Sequence, residues 1–234
     1  MTMTAVDLEA CKRAAAFKAV EYVKDGMVIG LGTGSTAKYM LLALGEKVNA
    51  GMRLRGVPTS EETAELAIRS GITLLETGEP WSIDIALDGA DQVDPAFNLI
   101  KGGGGALLKE KIVAASAKQF IVIVDYSKQV SVLGGSFPLP VEIVQFGWGR
   151  TVRDIEDITQ SRVTIRKRLG APFKTEEGHL IADVHIARIE QPGELETNLN
   201  RIPGIVETGL FVGRTHLLIV GTPEGTATHI VSRT

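Results

Sequence analysis

At 234 residues the chain is long enough to bury one large core, or a large core with a smaller one beside it. With 44% hydrophobic and 23% charged residues it has an ordinary globular composition, which excludes a disordered or collagen-like chain. A formal charge of -3 supplies no basic field, so broad attraction to nucleic acid or an anionic membrane is disfavoured and any anionic ligand must be captured locally.

From Asp7 to Lys24, Leu8, Cys11, Ala15, Ala19 and Tyr22 recur at helical spacing, and Gly26 follows as a stop. The charges of Asp7, Glu9, Lys12 and Arg13 interrupt any signal-peptide core. Cys11 is the only cysteine, which rules out an intrachain disulfide and a thiolate cluster and fits a reducing cytoplasm. No apolar run is long enough to span a bilayer, so a cytosolic chain is expected.

Met27 to Leu31 reads as a strand, and Ser35 or Thr36 can cap a helix that runs to Leu44. Strands at Leu54–Val57 and Ile72–Leu75 flank a helix at Glu61–Arg69. Ile83–Leu87 and Phe120–Val124 are further strands, with a helix at Leu107–Ala117 between them. These strands are continuous apolar runs, as expected of an open, Rossmann-like, mostly parallel α/β sheet with helices on both faces.

The texture changes at Gly134, where GGSFPLP marks a boundary. Beyond it, strand (Val141–Gln145), helix (Thr151–Ser161), strands (Val163–Arg168 and Leu180–Ala187), helix (Gly193–Arg201) and strand (Ile205–Phe211) give the order of a ferredoxin-like α+β unit. His216–Val220 resembles the first half again and returns to the large sheet. The expected division is 1–134 with 206–234 as a catalytic Rossmann-like domain, and 135–205 as an inserted small domain.

Gly30 to Thr36 reads GLGTGST. Its glycines bring bare amides toward a ligand, Thr33, Ser35 and Thr36 add hydroxyls, and the following helix N-terminus favours an anion. No lysine follows as in a Walker loop, and Ser35 takes the third glycine position of a dinucleotide fingerprint. A tight turn that binds nothing is the plainer alternative. In LDGADQVD, Asp88 and Asp91 follow an apolar strand, where carboxylates can bond sugar hydroxyls or move protons; the alternatives are a Mg²⁺ site or an Asp-rich turn, and taken by itself the motif favours the turn.

In NLIKGGGGALLKEK, Lys101 precedes four glycines, a run so costly to order that close backbone approach to a ligand is implied. Glu110 falls near the start of the next helix, as a base or as a solvent-facing partner of a lysine. VDYSK, ending at Lys128, is a fourth such turn. If the strands before these turns are parallel, all four loops meet on one rim. The four histidines show no metal-ligand spacing, and G-x-S-x-G is absent.

GLGTGSTA, DGADQVD, KGGGGAL with Glu110 downstream, VDYSKQV, PLPVEI, GHLIADVH, IPGIVETGLF and LIVGTPEG together resemble ribose-5-phosphate isomerase, type A, over nearly the whole chain. One departure is Gln92, where that family commonly has DGADE; both aspartates stay in place. The resemblance implies interconversion of D-ribose 5-phosphate and D-ribulose 5-phosphate in the non-oxidative pentose phosphate pathway, with neither metal nor nucleotide cofactor. By it, Glu110 is the proton acceptor; the chemistry of an enediolate intermediate adds Lys101 and the glycine amides as its expected stabilisers and Asp88 or Asp91 as the aid to ring opening. Substrate-binding positions would be Thr33, Gly34, Ser35, Thr36, Asp88, Gly89, Ala90, Asp91, Lys101, Gly102, Gly103, Gly104 and Lys128. It also implies a homodimer or homotetramer, with the small domain suited to subunit contacts. The alternatives are a sugar-phosphate-sensing domain, for which no DNA-binding segment is visible, and a coenzyme A transferase-like enzyme with a nucleophilic glutamate.

Overall fold

The computed structural model describes residues 5–78 and 80–231. In chain order the elements are α1 (Ala5–Val20), β1 (Val28–Leu31), α2 (Ser35–Asn49), β2 (Arg55–Pro58), α3 (Glu61–Arg69) and β3 (Thr73–Leu74). Then come β4 (Ile83–Asp88), β5 (Gln92–Val93), β6 (Leu99–Ile100), α4 (Leu107–Ser116) and β7 (Ala117–Asp125). A 3-10 turn at Tyr126–Lys128 precedes β8 (Leu139–Ile143), α5 (Trp148–Thr159), β9 (Val163–Ile165), β10 (Lys167–Arg168), β11 (Ala171–Pro172) and β12 (Leu180–Val184). Last are α6 (Pro192–Leu199), β13 (Ile205–Thr208), β14 (Leu210–Phe211), β15 (Leu217–Thr222) and β16 (Gly225–Ile230). Helix α1 stops short of the expected Lys24, and the side chain of Asp7 lies outside the described residues.

The chain divides into two compact units. The first holds the residues up to Ala90, then Lys109–Lys128 and the segment from Arg214 onward. Its seven-stranded sheet has the order β16-β15-β7-β4-β1-β2-β3, and every pair is parallel except β15 with β16. Alternation along the strands separates two buried faces. Ile29, Leu31, Ile85, Leu87, Ile121, Ile123, Leu217 and Ile219 pack in one cluster with the small residues Ala15, Ala16 and Ala19 of α1 and with Met40, Leu41 and Leu44 of α2. Each large aliphatic side chain buried there contributes roughly 1.5–3 kcal/mol. On the opposite face, a Cβ at Gly30 would strike Val113 of α4 and lie 2.9 Å from Ala86, so helices cover both sides. This is the doubly covered, mostly parallel sheet expected. Its polar edge strand β16 is the addition, and no run of apolar residues announces it.

The second unit comprises Asp91–Leu108 and Gln129–Gly213. Its antiparallel sheet runs β13-β8-β12-β9, with α5 between β8 and β9 and α6 between β12 and β13, the ferredoxin-like order. Ile100, Val141, Ile143, Ile155, Ile181's neighbours Leu180 and Ala182, and Leu199 form its core. One buried carboxylate interrupts the apolar packing. Glu142 accepts from Thr175 Oγ1 at 2.9 Å and lies 2.9 Å from His179 Nδ1. Burial holds its carboxyl above the ordinary glutamate value despite these two partners.

The units depart from the bounds 1–134 with 206–234 and 135–205. Asp91–Leu108 leaves the large unit because β5 and β6 pair with β14 in a separate antiparallel sheet. Gln92 fastens that segment further, donating to the Gly134 carbonyl and accepting from the Gly134 N–H, both at 2.8 Å. The expected strand at 205–211 is split at Gly209, where a Cβ would lie 2.9 Å from the Pro140 carbonyl oxygen.

Candidate active site

In the first unit, three of the four singled-out loops follow parallel strands. The glycine loop follows β1, Asp88 ends β4, and the turn bearing Lys128 follows β7, so all three leave the carboxyl edge of one sheet. That edge is where open α/β sheets bind ligands. Two of the loops are tied together there. Buried Asp88 uses Oδ1 to accept from the Thr33 N–H at 3.2 Å and from the Gly89 N–H at 2.7 Å. A Cβ at Gly32 would fall on this carboxylate. The second glycine of the motif is therefore required for close approach of the loop to Asp88.

Gly34 precedes α2 with φ +104°, a conformation that favours glycine, and no atom lies within 4 Å of where its Cβ would be. Ser35 is exposed and Thr36 half-buried at the start of α2. The Thr33 hydroxyl is turned elsewhere. It donates to Ser60 Oγ at 2.8 Å, Ser60 donates to Thr63 at 3.0 Å, and Thr63 donates to the Gly32 carbonyl at 3.0 Å. Thr59 adds a bond to the Leu31 carbonyl at 3.1 Å. Thr33 thus fastens the loop to the segment after β2. Thr59, Ser60 and Thr63 escaped the reading of the sequence. Their signal was the N-cap of α3, where Ser60 Oγ accepts from the Thr63 N–H at 3.2 Å.

Glu110 stands in the first turn of α4 and is buried, at 6% exposure. The solvent-facing reading of this residue is thereby set aside. At the end of β7, Asp125 Oδ1 accepts from the Ser127 N–H at 3.0 Å and from the Ser127 hydroxyl, shaping the turn on which half-buried Lys128 sits.

The fourth loop belongs to the second unit and follows β6, a two-residue antiparallel strand, so it does not leave the parallel sheet as expected. Lys101 is buried, its N–H donates to the Gly209 carbonyl at 2.9 Å, and its Nζ lies 5.6 Å from the centre of the Phe211 ring. Gly102 turns at φ +100°, and a Cβ there would come within 2.7 Å of Leu107. Gly103 donates its N–H to Asp91 Oδ2 at 2.8 Å. Asp91 is therefore a partner of the glycine run, while Asp88, three positions earlier, serves the loop after β1. Gly103 and Gly104 are exposed, and Gly89 and Ala90 half-buried.

The fold and these loops define an α/β protein with polar, amide-rich loops and buried acids on the carboxyl edge of its sheet, joined to a ferredoxin-like unit. The profile described as Ribose 5-phosphate isomerase A (phosphoriboisomerase A) matches residues 55–225. A Ribose-5-phosphate isomerase A of Jannaschia sp. is 47% identical over 233 residues, covering 97% of this chain and 88% of that protein. One of Parvibaculum lavamentivorans is 49% identical over 221 residues, covering 92% and 95%. Among solved structures, a D-ribose-5-phosphate isomerase in complex with phospho-erythronic acid superposes with TM-score 0.92 at 40% identity, covering 95% of this chain and 99% of that one. Ribose 5-phosphate isomerase A from Methanocaldococcus jannaschii gives TM-score 0.90 at 41% identity, with the same coverage. The chain belongs to the ribose 5-phosphate isomerase A family.

Proposed function

We propose that this chain interconverts D-ribose 5-phosphate and D-ribulose 5-phosphate by proton transfer through an enediolate. The observation that carries the reading is the Asp88 carboxylate, whose bonds to the Thr33 and Gly89 amides make two sequence motifs into one arrangement. Gly34, Ser35 and Thr36, at the N-terminus of α2, hold the 5-phosphate as an anchor remote from the reacting carbons. Glu110 takes the C2 proton of the open-chain aldose and returns it to C1. Lys101 and the amides of Gly102 and Gly104 stabilise the developing oxyanion, Gly103 holds Asp91 in place, and Asp88 or Asp91 assists opening of the sugar ring. Gly89, Ala90 and Lys128 complete the substrate contacts. These roles follow the family's motif order. Burial of Glu110 and Lys101 supports them, because charged groups held out of water act more strongly on a developing charge.

The reaction requires no metal and no nucleotide, and the chain works in the cytoplasm as a homodimer or homotetramer that uses the second unit for subunit contacts. No helix among the described residues is long and apolar enough to cross a membrane. One incubation tests the reaction: ribose 5-phosphate with the protein in heavy water. The expected product is ketose carrying deuterium at C1. Absence of ketose, or loss of activity to a chelator with recovery on adding metal, overturns the reading.

A further inference from the structure

The backbone carbonyls of the glycine run are gripped from one side. Arg166, between β9 and β10, donates from Nη1 to the carbonyl oxygens of both Gly102 and Gly103, each at 2.9 Å. The rest of its guanidinium faces Asp183 on β12, with Nε to Oδ2 at 3.0 Å and Nη2 to Oδ1 at 2.5 Å. Both side chains are largely buried, at 16% and 13% exposure. Such a two-point arginine–carboxylate pair is rigid, and it leaves the remaining donor edge of the fork with a fixed direction.

That direction matters because in a trans peptide the N–H points opposite to the C=O. Holding the Gly102 carbonyl turns the Gly103 N–H away from the guanidinium, where it meets Asp91 Oδ2 at 2.8 Å. Holding the Gly103 carbonyl turns the Gly104 N–H the same way. A run of glycines has little conformational preference of its own, so these bonds define where its amides aim. A second contact closes the grip, since a Cβ at Gly105 would fall on the edge of the Phe173 ring carried just past the β10–β11 hairpin.

We infer that Arg166, anchored by Asp183, is a positioning residue that fixes the Gly103 N–H on Asp91 and aims the Gly104 N–H for substrate binding. This rests on the reading that Lys101 to Gly104 bind the sugar phosphate. A lysine at position 166 keeps the charge, but one ammonium cannot span Asp183 and two carbonyls.

The test is steady-state kinetics with D-ribose 5-phosphate on the full chain, comparing Arg166→Ala, Arg166→Lys and Asp183→Asn, each with a thermal melt. A purely structural role lowers the folded fraction, and hence kcat, at unchanged KM. Displaced amides raise KM. The expected result is a KM raised about tenfold in Arg166→Ala and only partly restored in Arg166→Lys. If Arg166→Ala does not fold, a KM raised several-fold in Arg166→Lys or Asp183→Asn carries the same meaning. Unchanged KM in the folded variants overturns the inference, whatever happens to kcat or melting temperature. Lys101→Met run alongside separates the two readings. Normal turnover by that variant removes the substrate-binding role of the loop itself, whereas impaired Lys101→Met beside unchanged KM in the Arg166 variants overturns the positioning role alone.

Discussion

The Thr33 N–H donates to Asp88 Oδ1 at 3.2 Å, joining the loop after β1 to the end of β4. The bond exists because Gly32 has no side chain: a Cβ there would come within 2.6 Å of the Asp88 Cβ and overlap its carboxylate. Gly32→Ala is therefore expected to lower kcat/KM at least tenfold, with a stability cost of about 1–3 kcal/mol from overpacking. Gly78→Ala, where nothing lies within 4 Å, is the matched control and should leave both intact. Kinetics and thermal melts on the two variants check this, and normal kinetics in Gly32→Ala would show that Asp88 tolerates displacement.

Glu110→Gln deletes the proposed base while changing little volume. Turnover should fall by about 10²–10⁴-fold, the usual contribution of a positioned general base, with a cooperative melt retained. Exchange of the substrate's C2 proton with heavy water, followed by NMR, should fall in parallel. Exchange at the parent rate would pass the role to another group.

Lys101→Met retains most of the buried stem and removes the charge that sits 5.6 Å from the Phe211 ring. Loss of one preorganised oxyanion stabiliser predicts a fall in kcat of about 10²–10³-fold. Phe211→Leu should act more gently, since the cation–π contact is worth roughly 0.5–2 kcal/mol. Measuring kcat and KM for both variants decides whether the charge, or merely its support, matters.

Glu142 provides a pH dependence whose sign follows from its burial. Its carboxyl is held above the ordinary value of 4.5, so between that value and its raised value the folded chain binds more proton than the unfolded one. Stability contributed at this site is accordingly present below 4.5 and is lost as pH rises through the raised value. Glu142→Gln keeps an acceptor for Thr175 and should flatten this fall. Melting temperatures of parent and variant across pH 4 to about 8 provide the comparison; parallel curves would show that Glu142 titrates alike in both states.

The parallel sheet was legible because buried parallel strands are uninterrupted apolar runs, as at Phe120–Val124, and because glycine and aspartate stand where those runs end. The ferredoxin-like unit was legible for a related reason: its helices and strands alternate at ordinary lengths. Two-residue strands carry no periodicity, so β5 and β6 were invisible, and with them the transfer of Asp91–Leu108 to the second unit, while β14 was read as the end of one longer strand. Spacing alone favoured a solvent-facing Glu110 paired with a lysine, because one carboxylate in a first helical turn has no pattern of its own; the fold buries it. Arg166 stood outside every motif. Its function depends on bonds to Asp183 and to two carbonyls more than sixty positions earlier, which no local window contains.

The first unit is assembled from three stretches of chain, and its inner strand β7 pairs with β15, so that Ile121 lies opposite Leu217. During synthesis, therefore, the flank of the most apolar strand waits for residues made nearly a whole ferredoxin-like unit later. Pairing over such a separation is slow, and an exposed strand flank invites association with other chains. The second unit, whose own sheet is complete once β13 is made, can form first and bring the ends of its insertion together, shortening the search that the closing strand must make.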